Sequence, residues 1–524
     1  MPPDHTLQVA LPVPLPRLFD YLPPIGQAAS PGDVGKRVSV MFGNRALTGF
    51  VAGVGPPSDP GLDLRPADAL LDAAPLLHGE LLESLHWLAR YTHAPLGEVV
   101  ATALPVLLRQ GEPLPDTHAW HWRLTEAGLS GRERLRAGSR PRRLADLLAQ
   151  HGTLDEDVLD LHLDTGRATA RDLGKRGLAE RFAAPPAAVA ASPRPGPALN
   201  DEQQAAADAI IGTSGFGALL LDGVTGSGKT EVYLHAIADC LRRGRQALVL
   251  VPEIGLTPQT LSRFRERLGV PVHALHSGLN DGERARTWAA CLRGEARVIV
   301  GTRSAVFTPL PEAGLIVVDE EHDGSYKQQD GIRYHARDFA LVRGKALDVP
   351  VVLGSATPSL ETLHNARSGR YAHLRLSRRA GEAQPPTVRV LDMRKRAQQA
   401  GLLSDTLQAI RQALDAGGQV LVFKNRRGYA PVLLCHDCGW SAQCKRCDSP
   451  MTVHAAGKRL QCHHCGARQA APPACPDCGG LALQPQGIGT ERLEELVAEQ
   501  FADVPVLRVD RGTTQKRAGL ALSL

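Results

Sequence analysis

The chain has 524 residues, which is too long for one hydrophobic core, and we expect about three to five domains. Its apolar fraction of 43% is that of a globular protein, and its net charge of +5 favours a polyanionic partner without demonstrating one. No apolar run approaches the ~20 residues that span a bilayer and no signal segment is recognisable, so we predict a cytoplasmic protein with no membrane partner.

The N-terminal region has the pattern of a small β-rich domain. Residues 1–105 alternate short apolar segments with proline and glycine. A helical pattern follows and covers residues 76–109.

A second small domain is predicted at residues 120–182, with short amphipathic helices at 144–150 and 170–176. A basic run accompanies them: Arg132, Arg134, Arg136, Arg140, Arg142 and Arg143. Short helices with such a run permit a DNA-binding winged-helix module, although a solvated surface is the commoner explanation of clustered arginines. Residues 183–197, rich in proline and alanine, are a linker by composition.

A phosphate-binding loop is the clearest motif. An octapeptide fits G-x-x-x-x-G-K-[ST] at every fixed position: Gly223, Val224, Thr225, Gly226, Ser227, Gly228, Lys229 and Thr230. An apolar strand pattern at 218–221 precedes it, and an amphipathic helix at 231–243 follows. Glycines let backbone amides surround a phosphate, and the helix N-terminus adds its positive end. We therefore predict that the chain binds ATP, with Lys229 on the β- and γ-phosphates and the Thr230 hydroxyl on Mg²⁺.

Acidic residues end a later apolar strand at 315–322. Asp319 is placed to hold Mg²⁺ through its waters, and Glu320 to orient and deprotonate the attacking water. Strands alternate with helices from 218 to 352, which predicts a parallel α/β sheet. The segment 354–357 (Gly-Ser-Ala-Thr) follows another such strand and should reach the same sheet edge.

An aromatic and basic segment follows the acids. Within residues 323–338 two tyrosines interleave with cations: Tyr326, Lys327, Arg333, Tyr334 and Arg337. Aromatic rings stack on bases while cations contact phosphates, so the segment predicts DNA binding beside the ATP site. A plain surface loop is the alternative interpretation.

Eight of the ten cysteines form four Cys-x-x-Cys pairs: Cys435/Cys438, Cys444/Cys447, Cys462/Cys465 and Cys475/Cys478. Each pair offers two thiolates to one Zn²⁺ ion and two pairs complete a tetrahedron, so we predict two structural Zn²⁺ sites. Sequential, crossed and nested pairings are all possible. We favour nesting, with the first and last pairs on one ion. These two pairs flank the entry and exit of the cysteine-rich segment, so a shared ion would hold its two ends together.

The order of these motifs resembles that of superfamily 2 helicases. Residues 251–259 and 301–305 fall where that superfamily has DNA-strand-contacting motifs, and Gln203 lies where an adenine-reading glutamine is usual. Together with the four-pair zinc insertion in the second lobe, the chain resembles the PriA family (primosomal protein N′) of bacterial replication-restart helicases. The resemblance runs from about residue 7 to the end and is carried by segments at 223–233, 319–323, 326–329, 333–338, 425–428 and 435–440.

The resemblance implies 3′→5′ unwinding at abandoned forks, nested zinc sites, and primosome and single-strand-binding proteins as partners. We expect the chain to bind forked and single-stranded DNA and to be a monomer. It also implies that the N-terminal domain grips a 3′ DNA end. Asp20 would accept the proton of the terminal 3′-hydroxyl, and Phe19 or Tyr21 would line the base. Without the resemblance, these three residues are an ordinary strand-end cluster.

The predicted fold is multidomain α/β. Its layout is a 3′-end-binding domain at 1–110, a winged helix at 111–182, a linker at 183–197, a first RecA-like lobe at 198–384, a partial second lobe at 385–434 and 485–524, and a zinc insertion at 435–484. Strands are expected near Val388, Val420 and Val506. Family members continue beyond residue 511 to a Gly-Arg-x-Gly-Arg motif with an arginine finger, and this sequence has no such motif, so we expect a C-terminally truncated chain.

Two functions follow as hypotheses. The first is an ATP-driven DNA helicase that starts primosome assembly at abandoned forks. The second is a fork-binding adaptor that binds ATP but hydrolyses and unwinds little, with a loosely ordered second lobe.

Overall fold

The structure, a computed structural model, describes residues 5–507 except 60, 62, 118, 157–158, 160–162, 164, 185–192, 253–254, 381–385, 395, 400, 424–431, 448, 455–458, 463–464 and 487–489. The chain forms two compact units, Met1–Gln384 and Pro385–Leu524. Among the helices in these described ranges, none combines the length and apolarity needed to span a membrane.

The first unit begins with a five-stranded antiparallel sheet in the order β2-β1-β4-β3-β5. Its strands are β1 (Thr6–Ala10), β2 (Phe19–Tyr21), β3 (Arg37–Phe42), β4 (Arg45–Gly55) and β5 (Ala69–Leu70). Three helices follow, α1 (Gly79–Thr92), α2 (Leu96–Ala103) and α3 (Val106–Arg109). The helical pattern at 76–109 is therefore divided, and Pro95 and Pro105 are the N-caps of α2 and α3 because proline starts a helix more readily than it continues one.

A small helical domain with a three-stranded sheet comes next. Its elements are β6 (Ala119–Leu124), α4 (Glu126–Gly131), α5 (Arg140–His151), β7 (Thr153–Asp155), α6 (Gly166–Lys175) and β8 (Ala179–Ala184), with strand order β7-β6-β8. Trp122, Leu144 and Leu173 pack in its core. These helices and the short antiparallel sheet are compatible with the winged helix, which stays a prediction.

The central element of the first unit is a seven-stranded, all-parallel sheet in the order β11-β12-β10-β13-β14-β9-β15. Its strands are β9 (Ala218–Gly223), β10 (Gln246–Leu250), β11 (Val272–Leu275), β12 (Val298–Gly301), β13 (Ala313–Asp319), β14 (Val351–Ser355) and β15 (Ala372–Leu376). Its helices are α7 (Asp201–Ile211), α8 (Lys229–Arg242), α9 (Pro258–Leu268), α10 (Asp281–Leu292), α11 (Ala336–Leu347) and α12 (Leu360–Arg367). The central strands are mainly apolar and buried because helices cover both faces of the sheet, whereas the edge strand β15 is partly exposed.

The N-terminal domain is joined to this sheet domain by a buried ion pair. The guanidinium of Arg343 in α11 is inaccessible to solvent and contacts Glu80 of α1 through two hydrogen bonds of 2.9 and 2.7 Å. It also donates to the carbonyl oxygens of Val306 and Thr308, each at 2.7 Å. The two domains thus share one core rather than a flexible connection.

The second unit contains α13 (Ser404–Asp415), α14 (Thr490–Gln500) and an antiparallel sheet in the order β19-β18-β17-β16-β20. Its strands are β16 (Val432–Cys435), β17 (Thr452–His454), β18 (Arg459–Gln461), β19 (Arg468–Ala470) and β20 (Leu483–Gln486).

The strands predicted near Val388 and Val420 are wrong, and the one predicted near Val506 is not formed in its described part. Residues 386–394, 418–423 and 505–507 have no strand assignment, and Val388 and Phe423 are 79% and 80% exposed. An apolar run becomes a strand only when a neighbouring strand accepts its backbone hydrogen bonds, and in the described part of this unit none lies beside these segments. The segment 425–428, which carries part of the family resemblance, lies outside the described residues.

Candidate functional site: nucleotide pocket, DNA-end pocket and zinc centres

The predicted phosphate loop connects the carboxyl end of β9 to the first residue of α8. Gly226 and Gly228 have φ of +80° and +81°, a conformation that glycine adopts without strain and that turns the backbone amides inward. The Ser227 hydroxyl is buried and has no hydrogen-bond partner among the described residues. A cradle of amides with an unsatisfied donor fits a bound nucleotide phosphate.

Gln203 is placed beside this loop by a helix cap. Asn200 and Gln203 form a reciprocal capping box at the start of α7. The side-chain amide of Gln203 then donates to the backbone oxygen of Ser227 at 2.8 Å. Both polar ends of Gln203 are thus bonded to the backbone, so its predicted contact with adenine remains a prediction.

Asp319 lies at the carboxyl end of β13 and is held from two sides by tyrosines. Tyr233 donates to its Oδ1 at 3.0 Å, and Tyr326 donates to its backbone oxygen at 2.6 Å. Burial and the neighbouring Glu320 raise the pKa of Asp319, while Tyr233 and Lys229 act in the opposite direction. A divalent cation beside this carboxylate would stabilise its charged form further.

Glu320 has a φ of +46°, which is uncommon for a residue with a side chain. This conformation turns the chain sharply after β13, and the Glu320 carboxylate lies 3.4 Å from the ammonium of Lys229. Lys229 also donates to the backbone oxygen of Gly223 at 3.2 Å. Strained backbone held by its surroundings is typical of active sites, and here it brings the predicted base and the phosphate-binding lysine together.

The next two residues, to which the sequence assigned no separate roles, join this strand to the Gly-Ser-Ala-Thr segment. Glu321 is completely buried and accepts hydrogen bonds from Ser359, Thr362 and Arg337. His322 Nδ1 lies 2.8 Å from the hydroxyl of Ser355 at the end of β14. A buried carboxylate needs several hydrogen-bond donors. In the sequence, the signal for this network is the group of hydroxyl residues after β14, which includes Ser359 and Thr362.

The predicted DNA-stacking role of the aromatic segment is not supported by the positions of its tyrosines. Tyr326 and Tyr334 are buried, and Tyr334 packs edge-on against Phe307 with ring centroids 4.8 Å apart. Arg337 is bonded internally, because its guanidinium lies 3.0 Å from Glu321 and 2.8 Å from Asp338.

Two members of that segment stay at the surface. Lys327 and Arg333 are exposed, and the ammonium of Lys327 donates to the backbone oxygen of Arg333. These two cations remain predicted phosphate contacts. The tyrosines instead anchor the segment to the core behind Asp319.

The N-terminal cluster lies in β2 at one edge of its sheet. Asp20 Oδ2 accepts a hydrogen bond of 2.8 Å from the backbone amide of Ser58, while its Oδ1 is buried with no partner in the described residues. Phe19 packs against Phe42 with centroids 5.1 Å apart, and Tyr21 donates to the backbone oxygen of Met41 at 3.1 Å. A buried carboxylate oxygen without a donor suits a ligand hydroxyl.

The eight paired cysteines form two groups of four. Cys435, Cys438, Cys475 and Cys478 make one group, and Cys444, Cys447, Cys462 and Cys465 make the other, with all sulfur atoms of a group within 4.8 Å of one another. The inner pairs are therefore nested between the outer pairs, which confirms the favoured arrangement. Four thiolates at tetrahedral reach fit one Zn²⁺ per group and leave no open coordination position.

The basic run of the second small domain lies partly at the surface. Arg134, Arg136, Arg140 and Arg143 are exposed around the start of α5. Arg142 is bonded to Asp146 at 3.0 Å. DNA contact by this run remains a prediction.

Three family models match the chain. Residues 8–105 match a 3′DNA-binding domain (3′BD), residues 200–366 match a DEAD/DEAH box helicase, and residues 444–469 match the PriA DNA helicase Cys-rich region (CRR) domain. These spans cover the N-terminal cluster of Phe19, Asp20 and Tyr21, the nucleotide pocket and the inner zinc group in turn.

Curated relatives are named replication restart protein PriA. The chain is 42% identical to that of Haemophilus influenzae over 98% of this chain and 71% of the relative, and 41% identical to that of Bacillus subtilis over 61% and 40%. Among solved structures, RecG bound to a three-way DNA junction has a TM-score of 0.29 and 22% identity, covering 43% of this chain and 29% of that one. MrfA bound to DNA has a TM-score of 0.30 and 14% identity, covering 43% and 36%.

Proposed function

Because this chain belongs to the PriA family of replication restart proteins, we propose that it is an ATP-dependent DNA helicase that recognises abandoned forks and unwinds in the 3′→5′ direction. The observation that carries this proposal is that one compact unit holds both the N-terminal cluster around Asp20 and the residues of the nucleotide pocket.

In the nucleotide pocket, each side chain has a separate task. The amides of 224–229 and the Lys229 ammonium would bind the phosphates, while Thr230 and Asp319 would hold Mg²⁺, which neutralises phosphate charge when bound. Glu320 would then leave its contact with Lys229, orient the attacking water and accept a proton from that water. The present 3.4 Å contact between Glu320 and Lys229 suits a resting state in which both charges are paired.

At the DNA end, Asp20 is the proposed reader. Its unpartnered Oδ1 would accept a hydrogen bond from the 3′-hydroxyl group. The backbone amide of Ser58 holds the other carboxylate oxygen in place. Arg17 lies 5.0 Å from the Phe19 ring centroid, so a cation is present for the terminal phosphodiester.

The proposed partners are forked and single-stranded DNA, primosome proteins and single-strand-binding protein. We propose that the chain acts as a monomer in the cytoplasm, where the chromosome of a bacterium is replicated. The two zinc groups would be structural sites that hold the fold of the second unit at its surface.

A second candidate function is a fork-binding adaptor with little hydrolysis or unwinding. The observation that favours it is the absence of a parallel RecA-like sheet from the described residues of the second unit. An arginine finger is worth about 10³–10⁵ in turnover in the phosphate-loop enzymes where it has been measured.

The two functions separate in a strand-displacement assay on a fork with ATP. The helicase predicts unwinding that depends on Glu320, whereas the adaptor predicts tight fork binding without displacement.

For recognition of the DNA end, Asp20→Ala should weaken binding to a fork with a 3′-hydroxyl by about ten- to a hundred-fold, the equivalent of one buried bond to a charged group. The loss should be small for a 3′-phosphate end, and equal losses at both ends would show that Asp20 is only structural.

A further inference from the structure

Tyr233 is a buried side chain beside the nucleotide pocket to which the motifs give no role. It lies four residues after Lys229 in α8, so both side chains leave the same face of the helix. Its side chain is 1% exposed, and its hydroxyl donates to Oδ1 of Asp319 at 3.0 Å.

Gly354 provides the space that this phenol occupies. Asp319 and Gly354 face each other as register partners in β13 and β14. A Cβ atom at Gly354 would lie 1.5 Å from the hydroxyl oxygen of Tyr233. Any residue other than glycine would displace the phenol, so the Gly354 position admits Tyr233 to the carboxylate.

The hydrogen bond has a fixed direction. A phenol carries a proton to donate and an ionised carboxylate only accepts, so Tyr233 is the donor and Asp319 Oδ1 the acceptor of the 3.0 Å bond. A carboxylate that is bonded on one oxygen by a rigid ring cannot rotate freely. The partner of a metal-binding carboxylate therefore controls the direction in which its lone pairs point.

We propose that Tyr233 is a positioning residue that orients the Asp319 carboxylate for Mg²⁺, with Gly354 as the space that admits it. The inference rests on the proposed ATP-hydrolysing function and deepens it. Helix α8 then supplies the site with two groups, Lys229 toward the phosphates and Tyr233 toward the metal-binding carboxylate.

The test measures metal binding without turnover. The 524-residue protein with a non-hydrolysable ATP analogue and no DNA is titrated with Mn²⁺, and bound metal is followed by electron paramagnetic resonance. Tyr233→Phe should lower the Mn²⁺ affinity about 10- to 100-fold, the usual effect of losing the partner of a metal ligand. Binding of the analogue without metal should not change, because Tyr233 has no proposed contact with the nucleotide.

Tyr326→Phe is the matched control. Tyr326 is equally buried and also bonds to Asp319, but through the backbone oxygen, so its loss should change Mn²⁺ affinity little. Gly354→Ala should reproduce the metal defect of Tyr233→Phe, because its Cβ displaces the phenol.

Wild-type Mn²⁺ affinity in Tyr233→Phe or Gly354→Ala would overturn the proposal. Equal losses in Tyr233→Phe and Tyr326→Phe would also overturn it, because they would indicate a general loosening around Asp319. Weaker binding of the metal-free analogue by Tyr233→Phe would assign Tyr233 a structural role instead. Failure of the proposed function gives a different result, since the unmodified protein would then not bind the analogue.

Discussion

Replacing Arg343 with methionine tests the coupling between the N-terminal domain and the sheet domain. Methionine keeps much of the length and apolar volume of the arginine but removes every donor. The change leaves the Glu80 carboxylate, which is 13% exposed, and the backbone oxygens of Val306 and Thr308 without four hydrogen bonds that Arg343 now supplies.

The expected cost follows from burial. Removing one partner of a buried ion pair leaves an uncompensated charge and destabilises a protein by about 3–5 kcal/mol. Arg245→Met is the matched control, because the Arg245–Glu312 pair is exposed, at 51% and 54%, and such pairs contribute about 0–1 kcal/mol. The double variant Glu80→Gln with Arg343→Met should regain part of the loss, since no charge is left unpaired.

The measurement is hydrogen exchange of α1 and α11 in the full chain, from which a local opening free energy is obtained. Trp87, which stacks on Phe339 of α11 with centroids 6.5 Å apart, gives an independent fluorescence signal at the same junction. A loss no larger than that of Arg245→Met would refute the reasoning. Failure of the double variant to recover any stability would show that the unpaired charge is not the cause.

Two further predictions concern the nucleotide and zinc sites. Lys229→Ala should abolish ATP hydrolysis but leave nucleotide-free fork affinity unchanged, because the Lys229 ammonium bonds to Gly223 and Glu320 inside the nucleotide pocket; a tenfold loss of fork binding in a gel-shift titration would contradict this. Cys444→Ser should release one Zn²⁺ and keep the outer ion, because the two groups share no cysteine; metal analysis that finds both ions lost, or fewer than two in the unmodified protein, would argue against independent sites.

The sequence predicted those parts of the site whose spacing is itself the chemistry. The phosphate loop and the Cys-x-x-Cys pairs are local patterns, and each ligand is a few residues from the next. Contacts between distant segments were not predictable, since Glu80 and Arg343 lie 263 positions apart and have no local signature.

The errors have physical reasons as well. The segment 323–338 has a composition suited to base stacking, but the sequence does not show which side of a loop faces the core. The rings of Tyr326 and Tyr334 both face inward. The apolar runs at Val388 and Val420 have strand composition, yet a strand also requires a neighbour for its hydrogen bonds. Gly354 was recognised as part of a motif. The need for glycine there comes from the close approach of Tyr233, which depends on the register of two strands and is not visible in the sequence.

The most direct test of the central claim is ATP hydrolysis by the purified 524-residue protein with and without a forked DNA that carries a 3′-hydroxyl end. Our account predicts hydrolysis that the fork stimulates and that Glu320→Gln abolishes without loss of ATP or fork binding. Hydrolysis that is indifferent to the fork, or that persists in Glu320→Gln, would contradict the proposed function.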